Sequence, residues 1–312
     1  MIILRFTSGL GNQMFQYNLY TYLKERYPDA QVRADLNWFA RFSEHQGYEL
    51  ERLFSGNPDF ELTPATDREI VRCLGRFPNR MKGVTGDIWQ FILRVPHRLI
   101  RTFSRHERRR IDQTGFEDNS EIRAMIEDID PAVDYYITGY FIEEVYYRSR
   151  LPFLRKVFSF DRDFGEKNRE YAAMIEGGNS VSIHVRRGDY LSAEYSSSFI
   201  CLGEEYYKKA VALVQEKLGD PRFFIFSDDK EFIKEAFSWL DNKVIVEGNT
   251  GSDSYRDMQL MSLCRANIIA NSTFSVWAGL LNAHEDRLIC YPASYMKEKD
   301  TQQMTLDGWV RV

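Results

Sequence analysis

From Ser180 onward the chain alternates with a regularity that few folds can accommodate. Apolar runs at 181–185, 223–226, 244–246, 266–270 and 287–291 are separated by helix-like stretches at 204–218, 229–240, 254–264 and 274–284. Short apolar strands spaced by helices of this length predict βαβ units, a parallel sheet and right-handed crossovers. The beginning of the chain carries the same signature. Ile2 to Phe6 is apolar, Ser8 to Gly11 is a turn, and Phe15, Leu19, Tyr22 and Leu23 have helical spacing within 14–26. Pro28 ends that helix, and 31–36 returns as a strand. At 312 residues the chain is long enough for two domains. The pattern therefore predicts an α/β fold of two Rossmann-like domains facing across a cleft, 1–165 and 166–312. The hinge is expected within 155–180, where Gly177 and Gly178 break the pattern. The polar, weakly periodic stretch from Pro58 to Asp134 is expected to hold helices that elaborate the first domain.

Composition narrows the classes of function. A content of 44% apolar and 14% aromatic residues fills real cores, and a net charge of −5 gives no attraction to nucleic acid. The start, MIILRFTSGLGNQ, lacks the basic flank and cleavage site of a signal peptide, and no apolar run approaches a bilayer span. Cys73, Cys201, Cys264 and Cys290 are scattered, with no CxxC, and read as free thiols of a cytoplasmic protein.

Four segments carry chemistry. In His184-Val-Arg-Arg-Gly-Asp-Tyr190, Arg186 and Arg187 end a buried strand, the place where open α/β sheets bind ligands. Two guanidiniums there fork onto a diphosphate, and Asp189 fixes one of them. Phe223-Phe-Ile-Phe-Ser-Asp-Asp229 delivers Asp228 and Asp229 to the same sheet edge. One acid caps the following helix, and the other is available for paired N–H donors such as those of guanine. Ala270-Asn-Ser-Thr-Phe-Ser275 ends a strand and opens a helix, either as a phosphate cradle or as ordinary capping by Ser272 or Thr273. In Ser8-Gly-Leu-Gly-Asn-Gln13 the two glycines permit a tight turn, ligand-facing or simply structural. With Asp35 closing the next strand, that turn invites a nicotinamide-binding reading, but Met14 stands where the third glycine of GxGxxG is required.

No metal is expected. Asp128-Ile-Asp130 and Asp161-Arg-Asp163 match a short DxD, but neither follows an apolar strand, and the histidines have no ligand spacing. Seven arginines between Arg94 and Arg110, interleaved with Leu93, Leu99, Ile100 and Phe103, read as a basic amphipathic helix. Such a helix is either a solvated face or a peripheral contact with an anionic membrane.

These segments resemble glycosyltransferase family 11, the α-1,2-fucosyltransferases. HVRRGDY is similar to the HxRRxD motif shared by α-1,2- and α-1,6-fucosyltransferases. SGLGNQMFQY, HQGYEL at 45–50, GYFIEEVYY at 139–147, FFIFSDD, DMQLMSLCRANIIANSTFS at 257–275 and Trp309 follow in the family's order. The resemblance implies a GT-B architecture. It also implies inverting, metal-independent transfer of L-fucose from GDP-β-L-fucose to the 2-hydroxyl of a terminal galactose in a bacterial surface glycan. By position, Arg186 grips the diphosphate and Arg187 assists or braces the loop with Asp189. His184 and Asp229, or its neighbour Asp228, address guanine, while Ser272, Thr273, Phe274 and Ser275 contact phosphates. Gly11 and Asn12 complete donor binding. Where the family usually has two tryptophans after the serine, this chain has Val276-Trp277, which bears on local packing and acceptor preference.

Asp35, Glu49 and Asp189 are the carboxylates open as general base, Asp35 being favoured because it ends an N-terminal strand. The expected partners are GDP-fucose and a galactose-terminated glycan, with the 94–110 segment as the possible membrane contact and the inner membrane as its place. Alternatives are an α-1,6-fucosyltransferase or a nicotinamide-dependent oxidoreductase using the Gly9/Gly11 turn.

Overall fold

The structure, a computed structural model, describes all residues except 43–44, 76–106, 114–118, 162, 194–195, 298 and 301–303. Compactness divides the chain into Met1–Tyr147 and Arg148–Val312, ahead of the 165/166 boundary expected from the sequence.

In the first unit, β1 (Ile2–Arg5) leads through α1 (Leu10–Arg26) to β2 (Val32–Asp35). Next come α2 (Asn37–Arg41), α3 (Leu50–Phe54), α4 (Asp67–Leu74), β3 (Arg108–Asp112), α5 (Ser120–Glu127) and β4 (Asp134–Thr138). The four strands form one parallel sheet in the order β2-β1-β4-β3. Ile2, Ile3 and Leu4 are buried because β1 is central and covered on both faces. α4 starts at a capping box in which Thr66 and Glu69 satisfy each other's backbone amides.

β3 corrects the sequence reading, which expected helices here and put Arg108, Arg109 and Arg110 on a basic helix. They lie on an edge strand in which Ile111 is the buried residue, and Arg109 and Arg110 pair with Glu107 and Asp112. An edge strand needs only one apolar face, so its composition hid it. The remainder of that arginine-rich stretch, 94–106, lies outside the described residues.

The second unit opens with α6 (Leu151–Val157) and α7 (Gly165–Glu176). The expected alternation follows: β5 (Ser180–Val185), α8 (Glu204–Leu218), β6 (Arg222–Ser227), α9 (Lys230–Ala236), β7 (Lys243–Ile245), α10 (Tyr255–Leu263), β8 (Ala266–Ile268), α11 (Thr273–Leu281) and β9 (Leu288–Tyr291). After a short antiparallel pair, β10 (Ser294–Met296) and β11 (Lys299–Asp300), the chain ends in β12 (Val310–Arg311). The six-stranded sheet is parallel, in the order β12-β9-β8-β5-β6-β7. Val181, Ile183 and Val185 face one core with Phe223, Ile225, Ile233 and Phe237. Trp277 is fully buried, edge-on to Phe158. The two units together make the α/β class expected from the sequence.

In the second sheet the chain runs outward from β5 through β6 to β7 and then, on the other side of β5, through β8 and β9 to β12, so the strand order reverses between β5 and β8. The crevice at the carboxyl ends of such a strand pair is where open α/β sheets bind ligands.

Candidate functional site

At the carboxyl end of β5 the pleat alternates, so His184 and Arg186 point away from the core that takes Val181, Ile183 and Val185. Arg186 leaves the sheet between two acids. Its Nη2 donates to Asp189 Oδ2 at 2.6 Å, and its Nη1 is 3.1 Å from Asp228 Oδ2. Burial pulls the Arg186 guanidinium down, but Asp228 and Asp189 outweigh it, and the group is held above its ordinary value. Its charge is therefore fixed, and the two acids aim it while leaving its other N–H donors for a ligand.

Asp228 does more than pair with Arg186. Its Oδ1 accepts from the backbone N–H groups of Arg187 and Gly188, each at 3.1 Å. A Cβ on Gly188 would stand 3.0 Å from Asp228 Oδ2, so glycine is what allows the loop this close to the carboxylate. Asp229 caps α9, accepting from Phe232 N–H at 3.1 Å, as the sequence suggested for one of the pair. Its other oxygen is 3.3 Å from Arg187 Nε, and the Arg187 guanidinium lies 4.0 Å from the centre of the Phe232 ring. Both arginines thus rest on carboxylates from the end of β6, and a diphosphate at this edge competes with those carboxylates for their N–H groups.

His184 is 6% exposed, its Nδ1 is buried without a hydrogen bond, and its ring lies 5.7 Å from that of Phe274. Burial, reinforced by the Arg186 charge, holds the imidazole far below its usual range, so it is neutral at physiological pH.

The ANSTFS turn is tied to the arginine loop. Tyr190 Oη donates to Asn271 O at 2.7 Å, and Asn271 Nδ2 donates to the carbonyls of Ile200 and Tyr295. Ser272 stands at the N-cap of α11 with no side-chain capping bond, and Thr273 N–H donates to Tyr295 Oη. Ser275 is fully buried, its hydroxyl accepting from Ala270 N–H and turned back on its own turn. Ser272 and Thr273 are buried and Phe274 is half-buried, while Ser275 shapes the turn.

Sequence reasoning missed Asp257, in the first turn of α10. Asn249 Nδ2 donates to its Oδ1 at 2.8 Å, and Asn249 also exchanges hydrogen bonds with Asn168. Burial pushes Asp257 up to about 6 against the pull of Lys230 and the Asn249 bond. Lys230 Nζ donates to Val246 O at 2.7 Å. The available signal was an acid in the first turn of a helix whose next residues, Met258, Leu260 and Met261, belong to the core.

The remaining sequence candidates belong to the first unit. Gly11 and Asn12 lie in the first turn of α1, where Asn12 N–H donates to Gly9 O at 3.0 Å and Asn12 Oδ1 is buried without a hydrogen-bond partner. Asp35 ends β2, is 4% exposed, and is bonded to Asn37 and Tyr136. All four cysteines are free, and among the described residues no helix is long and apolar enough to cross a membrane.

The chain is similar to several known proteins. The O-antigen biosynthesis glycosyltransferase WbnK of Escherichia coli is 25% identical, over 98% of this chain and 98% of its own. An alpha-1,2-colitosyltransferase of Escherichia coli is 28% identical, over 100% of this chain and 99% of its own. A galactoside 2-alpha-L-fucosyltransferase, Sec1 of Mus musculus, is 26% identical over 46% of this chain and 41% of its own. The profile of glycosyl transferase family 11 matches residues 109–312, from β3 through both chemical edges of the second sheet. The chain is a glycosyltransferase and belongs to glycosyl transferase family 11.

Proposed function

We propose that this protein transfers L-fucose from GDP-β-L-fucose to the 2-hydroxyl of a galactose in a bacterial surface glycan, with inversion and without a metal ion. The observation that carries this reading is Arg186, charged and aimed by Asp189 and Asp228 at the switch point of the second sheet. The diphosphate takes the remaining N–H groups of Arg186 and draws Arg187 from Asp229. As the bond from sugar to phosphate breaks, negative charge grows on the departing oxygen. The arginines answer it more strongly in the transition state than in the ground state, which is what accelerates the reaction. Two guanidiniums supply the neutralisation that a divalent ion would otherwise provide. His184, neutral, offers an uncharged ring to the base beside Phe274. Asp228 and Asp229 are committed to the arginines and to α9, which favours Asp257 as the acceptor for the paired N–H groups of guanine.

A second donor deserves a place in the test, because a relative matched along its whole length is an alpha-1,2-colitosyltransferase. Colitose is L-fucose without its 3-hydroxyl, so the same site chemistry serves both. The protein is incubated with GDP-fucose or GDP-colitose and a panel of β-galactosides in excess EDTA, and the product linkage is read by NMR. Transfer from GDP-fucose to the 2-hydroxyl, undiminished by EDTA, is expected. Transfer from GDP-colitose alone replaces the donor, activity lost in EDTA removes the metal-free mechanism, and no transfer from either donor overturns the reading.

A further inference from the structure

Asp189 and Asp228 hold Arg186 by its N–H groups, and its third neighbour is an aromatic ring. The Arg186 guanidinium lies 5.9 Å from the centre of the Tyr190 ring, at the outer limit of a cation–π contact. At that distance the attraction is small, and what the ring supplies is a wall. The loop folds back to put it there. Leu191 N–H donates to Arg187 O at 3.2 Å, and Asp189–Leu191 forms one short 3₁₀ turn.

Tyr190 is held more tightly than loop residues usually are. It is 7% exposed. Phe199 stacks on its ring at 4.5 Å, and its hydroxyl donates to Asn271 O at 2.7 Å. Burial pushes the phenol well above its ordinary value, so the donor proton is present throughout the physiological range. Asn271 is fully buried and uses both protons of its amide. Its Nδ2 donates to Ile200 O at 2.9 Å and to Tyr295 O at 2.8 Å. The far end of the same loop is pinned to β10, where Phe199 pairs with Met296 and Lys297 N–H donates to Ser198 O at 3.0 Å. Tyr190 thus sits between a rigid clamp and the guanidinium.

We infer that Tyr190 is a positioning residue for Arg186, carrying the rigidity of the Asn271 clamp to the group that receives the diphosphate. This rests on the reading of Arg186 above and adds the residue through which that arginine is held. A long side chain frozen before its ligand arrives has less freedom left to lose on binding. A tyrosine that merely filled space would matter equally whatever stood at position 186. One that acts through Arg186 matters only while the guanidinium is present.

The test is a double-mutant cycle. GDP affinity and Tm are measured by titration and scanning calorimetry for wild type, Y190L, Y190F and Arg186→Ala, and for each Tyr190 variant combined with Arg186→Ala. Y190L alone is expected to weaken GDP binding about tenfold, an interaction of the size found between touching residues. Y190F keeps the ring and loses only the bond to Asn271 O, so it is expected to weaken binding about threefold. On the Arg186→Ala background both substitutions are expected to change GDP affinity by less than about twofold. Tm should fall equally on either background, because the packing of the ring against Phe199 does not depend on the guanidinium. Equal losses of affinity on both backgrounds overturn the inference, as does Y190L binding GDP within about twofold of wild type. Should Y190L not fold, Y190F decides by the same comparison. Arg186→Lys, which also lacks the guanidinium, replaces the alanine where GDP binding is too weak to measure. A wild type that binds no GDP refutes the reading of Arg186 as a diphosphate ligand, a result distinct from a wild type that binds GDP and shows equal losses.

Discussion

The carboxyl edges of the two sheets are furnished in opposite ways. At β5 the groups are ionic: Arg186 and Arg187 set against Asp189, Asp228 and Asp229. At β1 the organising groups are neutral amides, with Gln13 and Gln16 fully buried and Gln113 nearly so. Gln16 bridges Thr7 and Gly139 O, joining the ends of β1 and β4, and Gln113 accepts from the backbone of Tyr140 and Phe141. The contrast accords with the proposed reading of the second edge as the diphosphate site. A diphosphate is held by charge, and the carboxylates keep the guanidiniums desolvated and aimed until it arrives. An edge without charges suits an uncharged ligand, because satisfied buried amides fix hydrogen-bond geometry at no cost in net charge.

The comparison is broken most directly at Arg186. Arg186→Ala is expected to lower kcat on the order of 10²–10³, the usual effect of removing one donor from a developing anion. Arg186→Lys should recover little, because an ammonium cannot bond Asp189, Asp228 and a phosphate oxygen in one plane. Full turnover by the lysine variant means that charge alone is sufficient, and the forked geometry is then irrelevant.

Gln13→Ala probes the neutral edge. It removes three hydrogen bonds to backbone groups and leaves a cavity, which together cost about 2–4 kcal/mol of stability. Acceptor KM is expected to rise while GDP affinity stays put. A fall in GDP affinity equal to the change in acceptor KM would show that the two edges do not divide the labour in this way.

This edge is also the part of the protein the sequence described least. The second sheet was legible because its central strands are buried on both faces, and Phe223-Phe-Ile-Phe226 can hardly be anything else. Arg186 and Asp189 were legible for the related reason that charges directly behind such a strand need a purpose. Gln13, Gln16 and Gln113 carry no motif, and their role lies in partners 34 and 123 residues away in the case of the first two. β3 was hidden by its single buried position, Ile111. The commitment of Asp228 to the Arg187 and Gly188 amides was equally invisible, being a matter of loop geometry and not of residue type.

Asp228→Asn tests that commitment. Its Oδ1 position keeps an acceptor for the two amides, whereas the charge facing Arg186 is lost, so GDP affinity is expected to weaken about tenfold with little change in Tm. Asp229→Ala should do the reverse, costing about 1 kcal/mol through the uncapped α9 and sparing GDP affinity. Equal effects of the two on affinity would place both acids in one undifferentiated ion-pair cluster.

The smallest effect sharpens the assignment of His184 as a neutral ring. In the folded chain its pKa is depressed by burial and by Arg186, so the unfolded chain binds the proton first as pH falls. Stability contributed by the neutral imidazole is present above the unfolded value of about 6.5 and is lost below it. Between pH 7 and 6 that loss is about 0.7 kcal/mol for one histidine. Asp257, pushed up to about 6, contributes in the opposite sense, its stabilisation present at low pH and lost as pH rises toward that value. The quantity to measure is therefore the difference in unfolding free energy between wild type and His184→Phe at the two pH values, since Asp257 is common to both. Wild type should lose more than the variant by about the stated amount on going to pH 6. Parallel pH dependences in the two proteins would mean that His184 takes up its proton in the fold as readily as in the open chain, against its assignment as a neutral ring beside Arg186.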